Sequence, residues 1–291
     1  MKKLGFIGGG NMAEALIRGL VENGVFAPDD LIVSDIDPAR RRKIGRTLKI
    51  DATADNVEVL RNARALLLAV KPQNIDEALG ELTAAMARNG GSPRPSKSSS
   101  RKIMARKIMA KDRLFISIAA GITISRFVQS LGDDARVVRV MPNAPAMVGQ
   151  GMAALVRAPG ASRADETFAL RIFRAVGDAV ALEDEAQLDA VTALSGSGPA
   201  YVYLFVKAMA DAAAVEGLPL ELAMRMALKT IRGAEENMRR SPLNAAELIR
   251  IVASPGGTTE AALKTFAQRG FSDIVADALH AAARRSRELG R

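Results

Sequence analysis

The chain has 291 residues, 41 Lys and Arg against 32 Asp and Glu, a formal net charge of +9, one histidine and no cysteine. This excludes disulfides, thiol chemistry and any site built on several histidines, while the length suits two domains with sizeable cores. No apolar run approaches the ~20 residues needed to cross a bilayer, and the apolar stretch after Met1-Lys2-Lys3 breaks at glycines, so the chain reads as a soluble cytoplasmic protein.

The first predicted strand, near 3–8, runs into Gly8-Gly9-Gly10-Asn11-Met12-Ala13, and a helix near 11–23 leaves it. Gly8-x-Gly10-x-x-Ala13 is a dinucleotide-binding fingerprint: the first glycine turns the chain and the second lets the backbone approach a pyrophosphate. The third, small residue lets helix and strand pack closely. A second strand, near 31–35, passes Ser34 and ends at Asp35, where a carboxylate would accept from the ribose 2′-hydroxyl of NADH. Arg40, Arg41 and Arg42 follow in a helix near 38–48 and would suit the 2′-phosphate of NADPH, so either cofactor fits.

Further strands are predicted near 66–70, 114–118, 136–140 and 152–156, with helices near 55–61, 74–87, 123–131 and 163–175. Such alternation implies a mostly parallel sheet covered on both faces. Ala69-Val70-Lys71-Pro72 and Ala119-Ala120-Gly121 end two buried strands, and ligands bind beyond the carboxyl ends of such strands. Between them, residues 94–113 hold eight basic residues against Asp112, so most of the charge excess is local. Gly, Ser and Pro open this stretch, and Arg-Lys-Ile-Met-Ala occurs twice in it. A five-residue period fits neither helix nor strand, which favours a surface insertion near 91–111 over a polyanion contact.

A last strand, 179–182, is expected to return to the sheet, giving a dinucleotide-binding domain over 1–183 and a helical domain over 184–291. Pro199 and Pro219 are expected in first turns, Ser272 as an N-cap, and Gly217 and Gly290 as helix stops. The helix over 199–216 is apolar almost all round, which calls for burial between subunits and an obligate homo-oligomer. His280 is expected on a helix surface or interface. Ser254-Pro255-Gly256-Gly257-Thr258-Thr259 then delivers backbone N–H groups and hydroxyls to the start of another helix, a place suited to a small carboxylate or phosphate.

These motifs, with Val140-Met141-Pro142-Asn143 and Leu194-Ser195-Gly196-Ser197-Gly198-Pro199-Ala200-Tyr201, resemble the pyrroline-5-carboxylate reductase family from end to end. The resemblance implies an α/β fold, an N-terminal Rossmann-type mostly parallel sheet followed by an all-helical dimerisation domain, with dimers that can assemble into decamers. It implies reduction of the C=N bond of 1-pyrroline-5-carboxylate by NADPH or NADH to give L-proline. The substrate carboxylate would lie on Ser254, Gly256 and the N–H groups of Gly257, Thr258 and Thr259, with the Thr259 hydroxyl toward the ring nitrogen as the catalytic group. The cofactor would be held by Gly8, Gly9, Gly10, Asn11 and Met12, by Ser34, Asp35 and Asn56, by Ala69, Val70, Lys71 and Pro72, and by Ala119, Ala120, Gly121 and Asn143.

The chain departs from the family pattern at the basic insertion, at Ala144 and Ile251 where polar residues are common, and at Asp35-Ile36, where an Asn-Arg type of pair marks many NADPH-preferring members. A related dehydrogenase layout would need a helical lysine as proton donor, for which Lys207 is the candidate. A non-catalytic dinucleotide sensor would have no use for the Ser254–Thr259 turn. No metal, nucleic acid or membrane partner is expected.

Overall fold

The computed structural model describes residues 1–88 and 109–290; the basic insertion expected near 91–111 lies, up to residue 108, outside the described residues. β1 (Lys2–Ile7) leads through the glycines to α1 (Asn11–Glu22). β2 (Leu31–Ser34), α2 (Pro38–Leu48), β3 (Asp51–Thr53), α3 (Asn56–Asn62), β4 (Ala63–Leu68) and α4 (Ile75–Arg88) follow. Then come β5 (Leu114–Ser117), α5 (Ile124–Leu131), β6 (Arg136–Met141), β7 (Gly151–Arg157), α6 (Arg163–Phe173) and β8 (Gly177–Ala181). α7 (Gln187–Val191) passes through a π-helical turn, Thr192–Gly196, into α8 (Gly198–Val215), α9 (Leu220–Arg240), α10 (Ala245–Val252), α11 (Thr258–Gln268) and α12 (Phe271–Leu289).

The eight strands form one sheet in the order β3-β2-β1-β4-β5-β6-β7-β8. The first six are parallel, each joined to the next by a helix. β6 and β7 are antiparallel, since the nine residues between them hold only the short 3₁₀ turn Ala144–Val148 and a parallel crossover needs more chain. β8 pairs parallel to β7. β3 was not predicted: its three residues carry no apolar alternation, and it is an edge strand paired only to β2.

Side-chain alternation along the strands feeds two cores, one on each face. Phe6, Leu67, Ile116 and Val138 pack with Leu16, Ile17 and Leu20 of α1 and Phe173 of α6. Leu66, Leu68, Phe115 and Val137 pack with Leu60, Leu79, Leu82 and Phe127 from α3, α4 and α5. This is the two-sided burial that parallel strands require.

The chain divides into two compact units, Met1–Gly196 with Ala283–Arg291, and Ser197–Ala282. In the second unit α8 packs on α9, and the buried residues of the two helices are Val206 and Ala210 on α8 and Ala223 and Ala227 on α9. Phe271 stacks against Phe205 and Phe266 at 6.3 and 5.2 Å between centroids. Pro199 lies in the first turn of α8, but Pro219 is the N-cap of α9 rather than its first residue. Ser272 is not an N-cap: α12 already begins at Phe271, after the left-handed Gly270 (φ +66), so the glycine and not the serine ends the preceding segment.

Arg136 and Asp165 tie the sheet to α6. Arg136 Nε donates to Asp165 Oδ2 at 3.1 Å, and the Ser162 backbone N–H donates to the same oxygen at 2.9 Å. Burial works to raise the Asp165 carboxyl, and the hydrogen bonds from Arg136 and Ser162 outweigh it, leaving the group below its usual range. Folding thus favours the carboxylate. The stabilisation is complete above the unfolded value near ~3.9 and is lost as pH falls through the lower folded value. Asp165→Ala is expected to cost about 2 kcal/mol at pH 7, because Arg136 is only partly buried and regains water. Urea denaturation checks this; the gap between variant and parent should narrow steadily as pH falls below the unfolded value near ~3.9, and a gap that does not narrow would contradict the assignment.

Candidate active site

The turn after β1 is built by backbone alone. Gly8 has φ +96, and a Cβ there would sit 3.0 Å from the Ala69 carbonyl carbon and the Val70 nitrogen. No other residue type fits both the dihedral and the space. Gly8 N–H donates to Ser34 O at 2.8 Å and Ala69 N–H to Ile7 O at 2.8 Å, so the ends of β1, β2 and β4 are fixed together. β1 and β4 are adjacent strands at the point where the strand order reverses, which is where open α/β sheets bind their ligands. Gly10 caps α1, aiming its first N–H groups at this place. Ala13 is fully buried beneath, as the fingerprint requires.

A cavity of about 460 Å³ opens here. Its walls include Gly8, Gly10, Ser34 and Asp35 from the first two strand ends, and Asn56, Ala69, Val70 and Lys71 from α3 and the end of β4. Eight of the residues expected to hold the cofactor are therefore brought together. Gly9 adjoins them: its N–H donates to Asp35 Oδ2 at 2.7 Å, while Asp35 Oδ1 accepts from Asp37 N–H at 2.8 Å. The carboxylate thus braces the glycine turn as well as lining the cavity. Asn11 and Met12 begin α1, and Pro72 begins the 3₁₀ turn after Lys71. Ala119, Ala120 and Gly121 follow β5, the next strand along.

Asn143 is a strut. Its Nδ2 donates to Ser195 O and Oγ at 3.2 and 3.1 Å, and its Oδ1 accepts from Met152 N–H at 2.8 Å. It joins the end of β6 to the π-helical turn, and its amide is occupied by these bonds.

Sequence reasoning missed the acidic wall. Glu77 and Glu81 of α4 line the cavity, and Glu81 Oε2 accepts from Asn56 Nδ2 at 2.7 Å, while Asn56 Oδ1 accepts from Ser34 Oγ at 2.6 Å. Their i,i+4 spacing puts both on one helix face, and that was the available signal. Of the three arginines, Arg40 lines the cavity beside Gly10. Arg41 is committed elsewhere, its Nη1 donating to Asp35 O at 2.7 Å and Ile36 O at 3.0 Å.

In the second unit, Gly257 N–H donates to Ser254 O at 3.0 Å, closing the turn on itself. Gly256 N–H donates to Glu260 Oε2 at 2.7 Å. A carboxylate oxygen therefore already rests on this backbone, as expected of an anion at a helix start. Gly257 is the N-cap of α11, so Thr258 and Thr259 occupy its first turn. Thr259 is half-buried and Ser254 exposed.

Comparison with known proteins gives the chain its place. The model for pyrroline-5-carboxylate reductase dimerisation matches residues 185–289, and one for coenzyme F420-dependent NADP oxidoreductases matches 3–90. A pyrroline-5-carboxylate reductase of Pseudomonas aeruginosa is 41% identical, over 99% of this chain and 96% of its own. One from Synechocystis is 38% identical over 99% and 98%. The chain belongs to the pyrroline-5-carboxylate reductase family. The solved structure of a Coxiella burnetii pyrroline-5-carboxylate reductase superposes with a TM-score of 0.86 at 32% identity, covering 100% of this chain and 99% of that one. The Plasmodium falciparum enzyme, with NADP bound, gives 0.83 at 28%, covering 100% and 98%. Membership makes this chain an NAD(P)H-dependent oxidoreductase.

The dimerisation match also accounts for the helix expected to be buried all round. Within one chain only Val206 and Ala210 of α8 are buried; Tyr203 is 65% and Leu204 69% exposed. Lys207 is exposed and pairs with Asp211 at 2.6 Å on the same helix, an ordinary i,i+4 ion pair. His280 is exposed on α12. Leu204→Glu should therefore convert the homo-oligomer to monomers in analytical ultracentrifugation, since a carboxylate in an apolar interface core is strongly disfavoured. An unchanged sedimentation profile would remove α8 from the interface.

Proposed function

Reduction of the C=N bond of 1-pyrroline-5-carboxylate by NAD(P)H, giving L-proline, is the activity of this family member, and we propose which residues carry it out. The dinucleotide lies across the cavity at the ends of β1, β2 and β4. The observation supporting this is that the Gly8 turn and Gly10, the cap of α1, line the cavity at these strand ends together with Ser34, Asp35, Asn56 and Ala69 to Lys71. Gly8 to Met12 and Ala69 to Pro72 take the pyrophosphate side, and Ser34, Asp35 and Asn56 the ribose side. We assign the Ala119–Gly121 turn, at the end of the next strand β5, and Asn143 to the cofactor as well. When bound, NAD(P)H supplies the hydride.

The substrate carboxylate is assigned to the Ser254–Thr259 turn. Ser254 Oγ, Gly256 and the N–H groups of Thr258 and Thr259 receive it, with Gly257 shaping the turn; the Glu260 carboxylate on Gly256 N–H supports an affinity for anions here. The Thr259 hydroxyl is the group that holds a proton at the ring nitrogen, a general-acid or hydrogen-bonding role worth ~10²-fold or more in rate. Most of the acceleration comes from orienting the two reactants, up to ~7–11 kcal/mol. Neither cysteine nor histidine chemistry is required, in keeping with a chain that has no cysteine and one exposed histidine.

We extend the reading to a cytoplasmic enzyme whose dimers assemble into decamers, with no nucleic-acid or membrane partner. No helix of the described residues is long and apolar enough to cross a membrane.

Thr259→Ala should lower kcat by about a hundredfold while leaving the cofactor dissociation constant within a factor of about two. Lost cofactor affinity instead would move the turn from the substrate to the cofactor. Asp35→Ala should shift the ratio of kcat/KM for NADPH over NADH upward by about tenfold, as it removes a negative charge from the place of the 2′-phosphate and leaves Arg40. An unchanged ratio would sink the ribose assignment.

A further inference from the structure

The end of the chain returns to the turn after β5. Gly121, buried and at φ +77, meets the last turn of α12: a Cβ on it would lie 3.0 Å from both the Cβ and the carbonyl oxygen of Leu289. The approach is reciprocal, because a Cβ on Gly290 would lie 3.1 Å from Gly121 O and 3.6 Å from Thr123 Cγ2. Two glycines thus allow two backbones to touch where side chains would hold them apart.

This contact is anchored. Ser286, 6% exposed, donates to Asp189 Oδ1 at 2.6 Å, and Gly290 N–H donates to Ser286 O at 3.2 Å. The flanks of the β5 turn are fixed independently. Ala119 N–H donates to Ser117 Oγ at 3.3 Å on one side. On the other, Ile124 N–H donates at 2.8 Å to Glu185 Oε1, which also accepts from Arg139 Nη1 at 2.6 Å. Between these anchors Ala120 is exposed, with buried Ala119 and Gly121 beside it. The C-terminal turn therefore backs Gly121, the last residue of a three-residue turn whose apex faces outward, and a buried serine hydroxyl holds it there.

We propose that the C-terminal turn Ser286–Gly290 is a positioning element for the cofactor, fixing the Ala119–Gly121 turn in the geometry that receives the dinucleotide. This rests on the assignment of the Ala119–Gly121 turn to the cofactor surface. Ser286, Leu289 and Gly290 touch that turn or its anchor and not the cofactor; they act through Gly121.

The test compares the full chain with one ending at Glu288 and with Ser286→Ala, which keeps the turn but removes its tether. NADH affinity is read by fluorescence titration without substrate, alongside KM for the cofactor, kcat and Tm. Both variants should weaken NADH binding and raise its KM by about fivefold, the size of an indirect positioning effect, while kcat at saturation stays within a factor of about two. A folded shortened chain that binds NADH as the parent does would overturn the proposal. Should the shortened chain not fold, Ser286→Ala decides by the same criterion. Ala120→Asp separates this proposal from the assignment beneath it, since a carboxylate at the exposed apex should repel a pyrophosphate-bearing ligand. If Ala120→Asp binds NADH normally, the cofactor assignment of the turn falls and the proposal with it. If it weakens binding while the other two variants do not, the proposal alone falls.

Discussion

Two stretches of backbone, the turn at Gly8 and the end of β4 at Ala69–Val70, run so close together that even a methyl group would not fit between them. The rest of the first unit follows from that approach. It needs β1 beside β4 in parallel, which places both strand ends at one level and opens the cleft at the reversal of strand order. It needs Ala13 small so that α1 can lie against the sheet. Asp35 then serves the same turn from the side, bonding Gly9 N–H while presenting a carboxylate to the cavity. A residue expected only to recognise ribose also stabilises the glycine loop to which we assign the pyrophosphate, so shape and recognition are coupled in that assignment.

The second unit is governed by an opposite condition. Its helices carry more apolar surface than one chain can cover, with Tyr203, Leu204, Val215 and Ile251 exposed along them. Association removes this surface from water at ~25 cal/mol per Å² and makes folding of the unit and assembly of the oligomer one linked equilibrium. The Ser254–Thr259 turn belongs to this unit.

The parallel strands other than β3, and their helices, were legible because period and turn chemistry agree at each of them. Leu66, Leu67 and Leu68 read as a strand buried on both sides, and the glycines after Ile7 read as a turn that only backbone could make. What escaped was set by partners distant in sequence. β3 exists because Ile32, Val33 and Ser34 offer it an edge, and nothing in Asp51-Ala52-Thr53 announces that. Asn143 is a strut because Ser195 and Met152 lie beside it, 52 and 9 residues further along the chain. Ser272 looked like a cap because its residue type is right, yet the helix starts one residue earlier, at Phe271, directly after Gly270.

The account requires little of side-chain chemistry: two bound reactants, a hydroxyl at Thr259 and a sheet that holds the cofactor in one orientation. Its central claim is the reaction itself, and the most direct test is oxidation of NADH and of NADPH followed at 340 nm, with racemic 1-pyrroline-5-carboxylate as the sole acceptor and proline measured as product. Turnover with stoichiometric proline is the predicted result. Cofactor binding without turnover of either dinucleotide would contradict it.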